Sequence, residues 1–321
     1  MSEILFIKTS SLGDVIHHMP AVTDARRNRP SARMSWIVEE AYAPVARLHP
    51  AVDEVIPLGL RRWRKVLGQP ATWSEIRDCV RALRARRYDE IIDSQGLLRS
   101  AMLTCLARGH RHGYDFSSAR EAPAAMAYHD RHRVDRKLHA IARNRLLTGQ
   151  ALGYEPKGAA DYGLDRASIG GVTPERYGVI LHATAGAEKR WLEERWIQIG
   201  RVLSQLGLNV VLPWGNIAER QISDRIAASF AGARVPDWAP LDQMARLIAG
   251  ASIVIGVDTG LLHLAAALGV PLVAIFISSK PALTGPIGSG SITIIDGQGS
   301  APAAELVEAA ASAMLGQKLG A

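Results

Sequence analysis

Two carboxylates in this chain stand where side chains do chemistry. Asp14 closes the run Ile4-Leu5-Phe6-Ile7-Lys8-Thr9-Ser10-Ser11-Leu12-Gly13-Asp14, and Asp258 sits in Gly256-Val257-Asp258-Thr259-Gly260-Leu261-Leu262-His263. Each run reads as a buried strand breaking into a small-residue loop and then a helix, and in α/β sheets ligands bind at the loops that leave the carboxyl ends of strands. A carboxylate at Asp14, beside a glycine that admits a close ligand, is placed for chemistry. The same residue also fits a local role: Ser11-x-x-Asp14 is a capping-box pattern, worth about 1 kcal/mol at a helix start. Both roles stay open on the residues alone.

At Asp258-Thr259-Gly260 the expected helix starts at once. Its free N–H groups and the positive end of its dipole suit an anion such as a diphosphate, and Gly260 lets a phosphate approach the main chain. An ordinary N-cap at Asp258 or Thr259 is the competing role. The segment His182-Ala183-Thr184-Ala185-Gly186-Ala187-Glu188-Lys189 leaves another apolar strand and adds small residues able to wrap a phosphate, with Lys189 as a mobile point charge. A third set is basic: Arg61-Arg62-Trp63-Arg64-Lys65 with Arg99, Arg120 and Arg143. Arginine forks match phosphate and carboxylate oxygens.

The elements that must position these residues alternate between apolar β-branched runs and helical patterns, the signature of parallel-sheet α/β architecture. Strands are expected at 4–7, 34–38, 54–57 and 90–93, with helices at 15–27, 73–86, 97–107 and 137–152. A second series has strands at 177–182, 209–213, 252–257, 271–276 and 292–295, with helices at 193–206, 218–229, 241–249, 261–268 and 303–315. With 321 residues, the chain suits two domains better than one. The division expected is an N-terminal Rossmann-like domain over 1–155, a linker over 156–176, a C-terminal Rossmann-like domain over 177–300, and a closing helix in 301–321 with a route back towards the first domain. Two doubly wound parallel-sheet domains facing across a cleft is the economical architecture.

Charge is unevenly spread. Residues 1–155 carry 25 Lys+Arg against 17 Asp+Glu, and the remainder 13 against 14. The basic half suits an anionic partner, although a solvated arginine-rich surface explains it too. Interleaved Arg and Trp at 61–64 also suits single-stranded nucleic acid, but aromatic content is only 6 % and no nucleic-acid module is recognisable, so no nucleic-acid partner is expected. No apolar run approaches the ~20 residues of a membrane span. Lys8 interrupts the first apolar stretch, against a secretory signal. Cys79 and Cys105 make neither a C-x-x-C pair nor a disulfide framework. The compartment expected is the cytoplasm. The chain lacks G-x-x-x-x-G-K-[ST], and the first strand is not followed by G-x-G-x-x-G. No H-E-x-x-H, D-x-D or paired Cys/His spacing offers a metal cage.

Taken together, Lys8-Thr9-Ser10-Ser11-Leu12-Gly13-Asp14-Val15, Arg61-Arg62-Trp63-Arg64-Lys65, Ser94-Gln95-Gly96-Leu97, Ala119-Arg120-Glu121, Leu212-Pro213-Trp214-Gly215 and Val257-Asp258-Thr259-Gly260-Leu261 resemble the bacterial lipopolysaccharide heptosyltransferases. These are glycosyltransferases (family 9) of the two-domain GT-B architecture. The resemblance implies an inverting transfer of L-glycero-D-manno-heptose from ADP-L-glycero-β-D-manno-heptose to the first 3-deoxy-D-manno-octulosonic acid (Kdo) of Kdo-lipid A, without cofactor or metal. It implies Asp14 as general base, and Thr184, Ala185, Lys189, Glu219, Asp258, Thr259, Gly260 and His263 on the donor. It also implies Ser11, Gly13, Arg61, Arg62, Arg64, Lys65, Arg99, Arg120, His139 and Arg143 on the anionic acceptor. A lipid-anchored acceptor implies peripheral contact with the anionic cytoplasmic face of the inner membrane. Three positions depart from the family pattern: Ala185 for a second threonine, Phe276-Ile277-Ser278-Ser279 for a Gly-Pro-Thr loop, and Arg99 for lysine. Competing functions are another GT-B enzyme, either a later heptosyltransferase or a nucleotide-sugar epimerase, and a non-catalytic binder of anionic glycolipid.

Overall fold

The computed structural model describes residues 2–170, 175–184 and 186–316. Contacts divide the chain into two units, Met1–Gly163 and Leu164–Ala321. In the first, β1 (Glu3–Ile7), β2 (Arg33–Glu39), β3 (Glu54–Leu58), β4 (Arg87–Asp93), β5 (Arg108–Tyr114) and β6 (Asp130–His132) form one sheet in the order β3-β2-β1-β4-β5-β6. In the second, β7 (Tyr177–Leu181), β8 (Asn209–Val211), β9 (Ala233–Arg234), β10 (Ile253–Val257), β11 (Leu272–Phe276) and β12 (Ile292–Asp296) run β12-β11-β10-β7-β8-β9. Numbered within its own unit, each sheet has the order 3-2-1-4-5-6 of the doubly wound fold, and the strand pairs are parallel.

The central strands are apolar because helices cover both their faces. Ile4, Leu5, Phe6 and Ile7 are fully buried in β1, as are Ile253, Val254, Ile255 and Val257 in β10. Removing such side chains from water contributes about 1.5–3 kcal/mol each. The edges differ. β5, β6 and β9 were not expected from sequence, and their residues (RGHRHGY, DRH and AR) carry little apolar signal. Each is a strand because a neighbour supplies its hydrogen-bonding partner.

The second unit opens with the short helix Arg166–Gly170, whose Arg166 donates to the carbonyls of Ala249 and Ala251. The helix Ala304–Met314 packs on the second sheet, with Val307 and Ala311 in the same core as Ile255 and Ile275. Residues 317–321 lie outside the described residues.

Three buried histidines give the fold an acid limit. His49 hydrogen-bonds Thr23 and accepts from the Ala51 N–H, and His182 pairs with Ser223 at 2.7 Å. Burial lowers both from the ordinary 6.5 to about 4, and holds His18 well below that ordinary value. Below pH 6.5 the unfolded chain therefore binds protons that the folded chain refuses, so stability falls with pH down to about 4. Each of His49 and His182 accounts for about 3 kcal/mol over the full interval. The expected result is a urea midpoint that drops between pH 6.5 and 4, with a shallower drop in His49→Gln. A midpoint independent of pH across that window contradicts the assignment.

Candidate active site

Ligands bind doubly wound sheets at the crevice where strand order reverses. In the first unit that point lies between β1 and β4, and the two loops leaving these strands are tied together there. Gln95, after β4, accepts through Oε1 from the N–H groups of Thr9 (3.1 Å) and Ser10 (3.4 Å), after β1. Gln95 is fixed in turn by Asp93, whose Oδ1 accepts from the Gln95 and Gly96 N–H groups, while Oδ2 accepts from Tyr128 Oη at 2.8 Å. Burial raises the Asp93 pKa, and these hydrogen bonds oppose the rise. Gly96 holds φ +65°, and a Cβ there would stand 3.1 Å from the Tyr114 ring, so the turn requires glycine.

Lys8 is buried at the floor of this crevice. Its ammonium donates to the Ser94 carbonyl (2.8 Å) and to Asn144 Oδ1 (3.4 Å). Burial lowers its pKa, and the charges of Asp14 and Asp93 oppose that fall. The helix Leu12–Asn28 starts slightly earlier than the sequence pattern suggested, because Ser11 is its N-cap. Asp14 is half-buried and uses one oxygen for the cap: Oδ2 accepts from the Ser11 N–H (2.9 Å) and hydroxyl (3.3 Å). Among the described residues no hydrogen bond reaches Oδ1. Gly13 is buried and Ser11 exposed beside it.

The basic residues of this unit fall into distinct situations. Arg99 donates to Ser10 Oγ at 3.2 Å, on the Asp14 loop itself. Arg143 lies over the Tyr114 ring (5.1 Å) and donates to the Ser118 carbonyl, while its Nε is buried without a partner. His139 caps the helix Ala140–Leu152 by accepting from the Ile141 N–H, and its ring meets that of His17. Arg120 is exposed, and its charge is felt at Lys8. Arg61 lies over Tyr42. Arg64 and Lys65 are exposed, with no ion pair among the described residues. Arg62 is engaged by Glu40 (2.9 Å) and Glu75 (2.7 Å), so its charge is largely spent. Asn144, Gln95 and Tyr114 were not singled out as site residues from sequence. Only Gln95 lay in a recognisable motif.

In the second unit the order reverses between β7 and β10. Gly256 allows this contact, since a Cβ there would stand 2.7 Å from Leu181 Cβ. The loop after β7 meets the loop after β10 at Asp258. Thr184 Oγ1 donates to the Asp258 carbonyl (3.2 Å), Lys189 Nζ donates to Oδ2 (2.6 Å), and His263 Nε2 lies 3.4 Å from Oδ1. Burial alone would raise the Asp258 pKa, but hydrogen bonds from His263 and Lys189 outweigh it and hold the carboxyl well below the usual carboxylate range. The helix Gly260–Ala267 follows. Its N-cap Thr259 is extended and makes no side-chain cap, so the first-turn N–H groups remain donors for an anion. Trp191 anchors the far side of the Lys189 loop through Pro302 and packs on Trp196. Glu219 is turned inward on its own helix start, accepting from the Gly215 N–H and from Asn216 Nδ2, both at 2.7 Å. Ala185 lies outside the described residues.

Two doubly wound units, one with a half-buried carboxylate in basic surroundings and one with uncapped N–H groups at a helix start, make a scaffold suited to a glycosyltransferase. The model of glycosyltransferase family 9 (heptosyltransferase) matches residues 76–311, and the chain belongs to that family. It is 43 % identical over 292 residues to lipopolysaccharide heptosyltransferase 1 of Pseudomonas aeruginosa, covering 90 % of this chain and 82 % of that one. Among solved structures it is similar to E. coli heptosyltransferase WaaC with ADP, at TM-score 0.91 and 37 % identity over 97 % of this chain and 99 % of the other. It is likewise similar to WaaC with ADP-2-deoxy-2-fluoro heptose, at TM-score 0.86 and 37 % identity over 96 % and 98 %. Among the described residues no helix is long and apolar enough to cross a membrane.

Proposed function

We propose that this glycosyltransferase moves L-glycero-D-manno-heptose, with inversion, from ADP-L-glycero-β-D-manno-heptose to a hydroxyl of the first Kdo of Kdo-lipid A, in the inner core of lipopolysaccharide. The observation that carries this is the likeness over nearly the whole chain to a heptosyltransferase 1 and to a structure holding an ADP-heptose analogue.

The second unit takes the donor. The diphosphate lies on the first turn of Gly260–Ala267 with Lys189, Thr184, Thr259 and His263, and Glu219 steadies the loop at the nucleoside end. The first unit takes the acceptor. Arg99, Arg120, Arg143, His139, Arg61, Arg64 and Lys65 meet its carboxylate and phosphate groups, and Arg62 braces the Arg61–Lys65 turn. Asp14 Oδ1 accepts the proton of the attacking hydroxyl. An ordinary carboxylate is a weak base for a sugar hydroxyl, so the proton leaves late, as the new C–O bond forms. Negative charge then grows on the departing ADP, where Lys189 and the helix dipole offset it. In this proposal the transfer uses no metal. Contact with the membrane is peripheral: exposed Arg and Lys side chains near an anionic leaflet contribute about 1 kcal/mol each, so attachment weakens with salt.

The test is direct. Pure protein, ADP-heptose and Kdo-lipid A should yield a product heavier by one heptose in mass spectrometry, and no product from an acceptor already carrying that heptose. Product only from the heptosylated acceptor assigns the later transfer instead. Consumption of the sugar nucleotide without any acceptor assigns an epimerase.

A further inference from the structure

Away from both loops described above, β4, β5 and β6 carry a second cluster of titratable groups. Alternate residues of a strand point to one face, so His110 and His112 share a face of β5, and Asp130 and His132 share a face of β6. The register sets Glu90 beside His110, and Asp130 beside His112. Two imidazoles and a carboxylate therefore converge, with His132 against His112. His110 Nε2 lies 2.9 Å from Asp130 Oδ2, that oxygen lies 3.8 Å from His112 Nδ1, and His112 Nδ1 lies 3.0 Å from His132 Nε2. One ligand atom from each of His110, His112 and Asp130 falls within 4.8 Å of the others.

Two features suit a cation better than a set of isolated ion pairs. The first is the tautomer. Glu90 Oε2 accepts from His112 Nε2 at 2.6 Å, so the proton is on Nε2 and the Nδ1 lone pair faces Asp130 and His132. A carboxylate behind a ligating imidazole is the usual outer partner at metal centres. The second is spacing. With zinc bonds of about 2.0–2.2 Å to nitrogen and oxygen, tetrahedral ligand atoms stand about 3.3 Å apart, and the separations of 2.9 and 3.8 Å from Asp130 Oδ2 to the two imidazoles bracket that value. The rings also crowd one another, His110 on His112 at 4.9 Å and His112 on His132 at 5.3 Å. His129 is engaged by Arg111 and stands outside the set.

We propose that His110 Nε2, His112 Nδ1 and Asp130 Oδ2 bind one zinc ion, with a solvent molecule in the fourth position, and that the ion fastens the three-residue edge strand β6 to β5. The site is independent of the transfer chemistry, and imidazole with carboxylate is a ligand set suited to zinc.

Protein dialysed against a chelator and titrated with Zn²⁺ in a calorimeter should bind one equivalent. Co²⁺ in its place should show the visible bands of a tetrahedral ion, and Tm should rise on adding Zn²⁺. Asp130 and His110 are largely exposed, so the double variant His110→Gln, Asp130→Asn should fold and bind zinc at least about 100-fold more weakly; Glu90→Gln should lose about 10–100-fold. His129→Gln should bind as wild type does. Absence of stoichiometric binding to the wild-type chain overturns the proposal, as does undiminished binding by the folded double variant.

Discussion

Replacing Asp14 with asparagine is expected to lower kcat by about 10²–10⁴-fold, with the donor KM held within about twofold. The substitution separates two roles that share one side chain. The cap uses Oδ2, which accepts from the Ser11 N–H, and an asparagine carbonyl oxygen can accept the same bond. In the proposed mechanism proton acceptance falls to Oδ1, and asparagine has no basic oxygen to offer. Helix start, loop geometry and Tm should therefore survive while turnover collapses. Asp14→Ala makes the complementary statement: it removes the cap as well and should cost about 1 kcal/mol of stability on top of the same loss of kcat. Should the asparagine variant turn over at the wild-type rate, Asp14 is only a cap, and the base lies elsewhere.

The division between the two oxygens could not be read from the sequence. Ser11-x-x-Asp14 is equally a capping box and a catalytic loop, and only the geometry shows the cap occupying a single oxygen. Other parts were legible for clear reasons. Strands buried on both faces announce themselves as apolar runs, as in Ile4–Ile7 and Ile253–Val257, and the glycine and carboxylate at their ends mark the switch-point loops. What stayed hidden depends on partners distant in sequence. Arg62 looks like a free cation until Glu40 and Glu75, 22 and 13 residues away, close on it. Lys8 reads as a break in an apolar stretch, yet it is buried against the Ser94 carbonyl. The histidine cluster was missed because β5 and β6 were not read as strands at all. Once they are, H-x-H at 110–112 and D-x-H at 130–132 become period-two signals on adjacent strands, a spacing that motif searches along one segment do not register.

Lys189→Ala should reduce kcat/KM by about 10²–10³-fold, or about 3–4 kcal/mol of transition-state stabilisation. The reasoning begins with the ion pair at rest. Lys189 Nζ lies 2.6 Å from Asp258 Oδ2, in a half-sheltered setting where the Lys side chain is 29 % exposed and the Asp 11 %. Asp258 remains ionised because His263 and Lys189 hold it so, and a donor diphosphate bound at Gly260–Ala267 as proposed would compete with that carboxylate for the same ammonium. Binding of the intact donor therefore gains only the difference between two partners. The leaving ADP carries more charge than the donor it came from, so the ammonium's preference for phosphate is greatest as the bond to heptose breaks. Loss of Lys189 should then fall more heavily on kcat than on donor KM. Lys189→Arg should restore part of the rate, because charge returns with a different donor geometry. If Lys189→Ala instead raised only the donor KM and left kcat untouched, Lys189 would contribute uniform binding, and the charge on the leaving group would be met by the helix start alone.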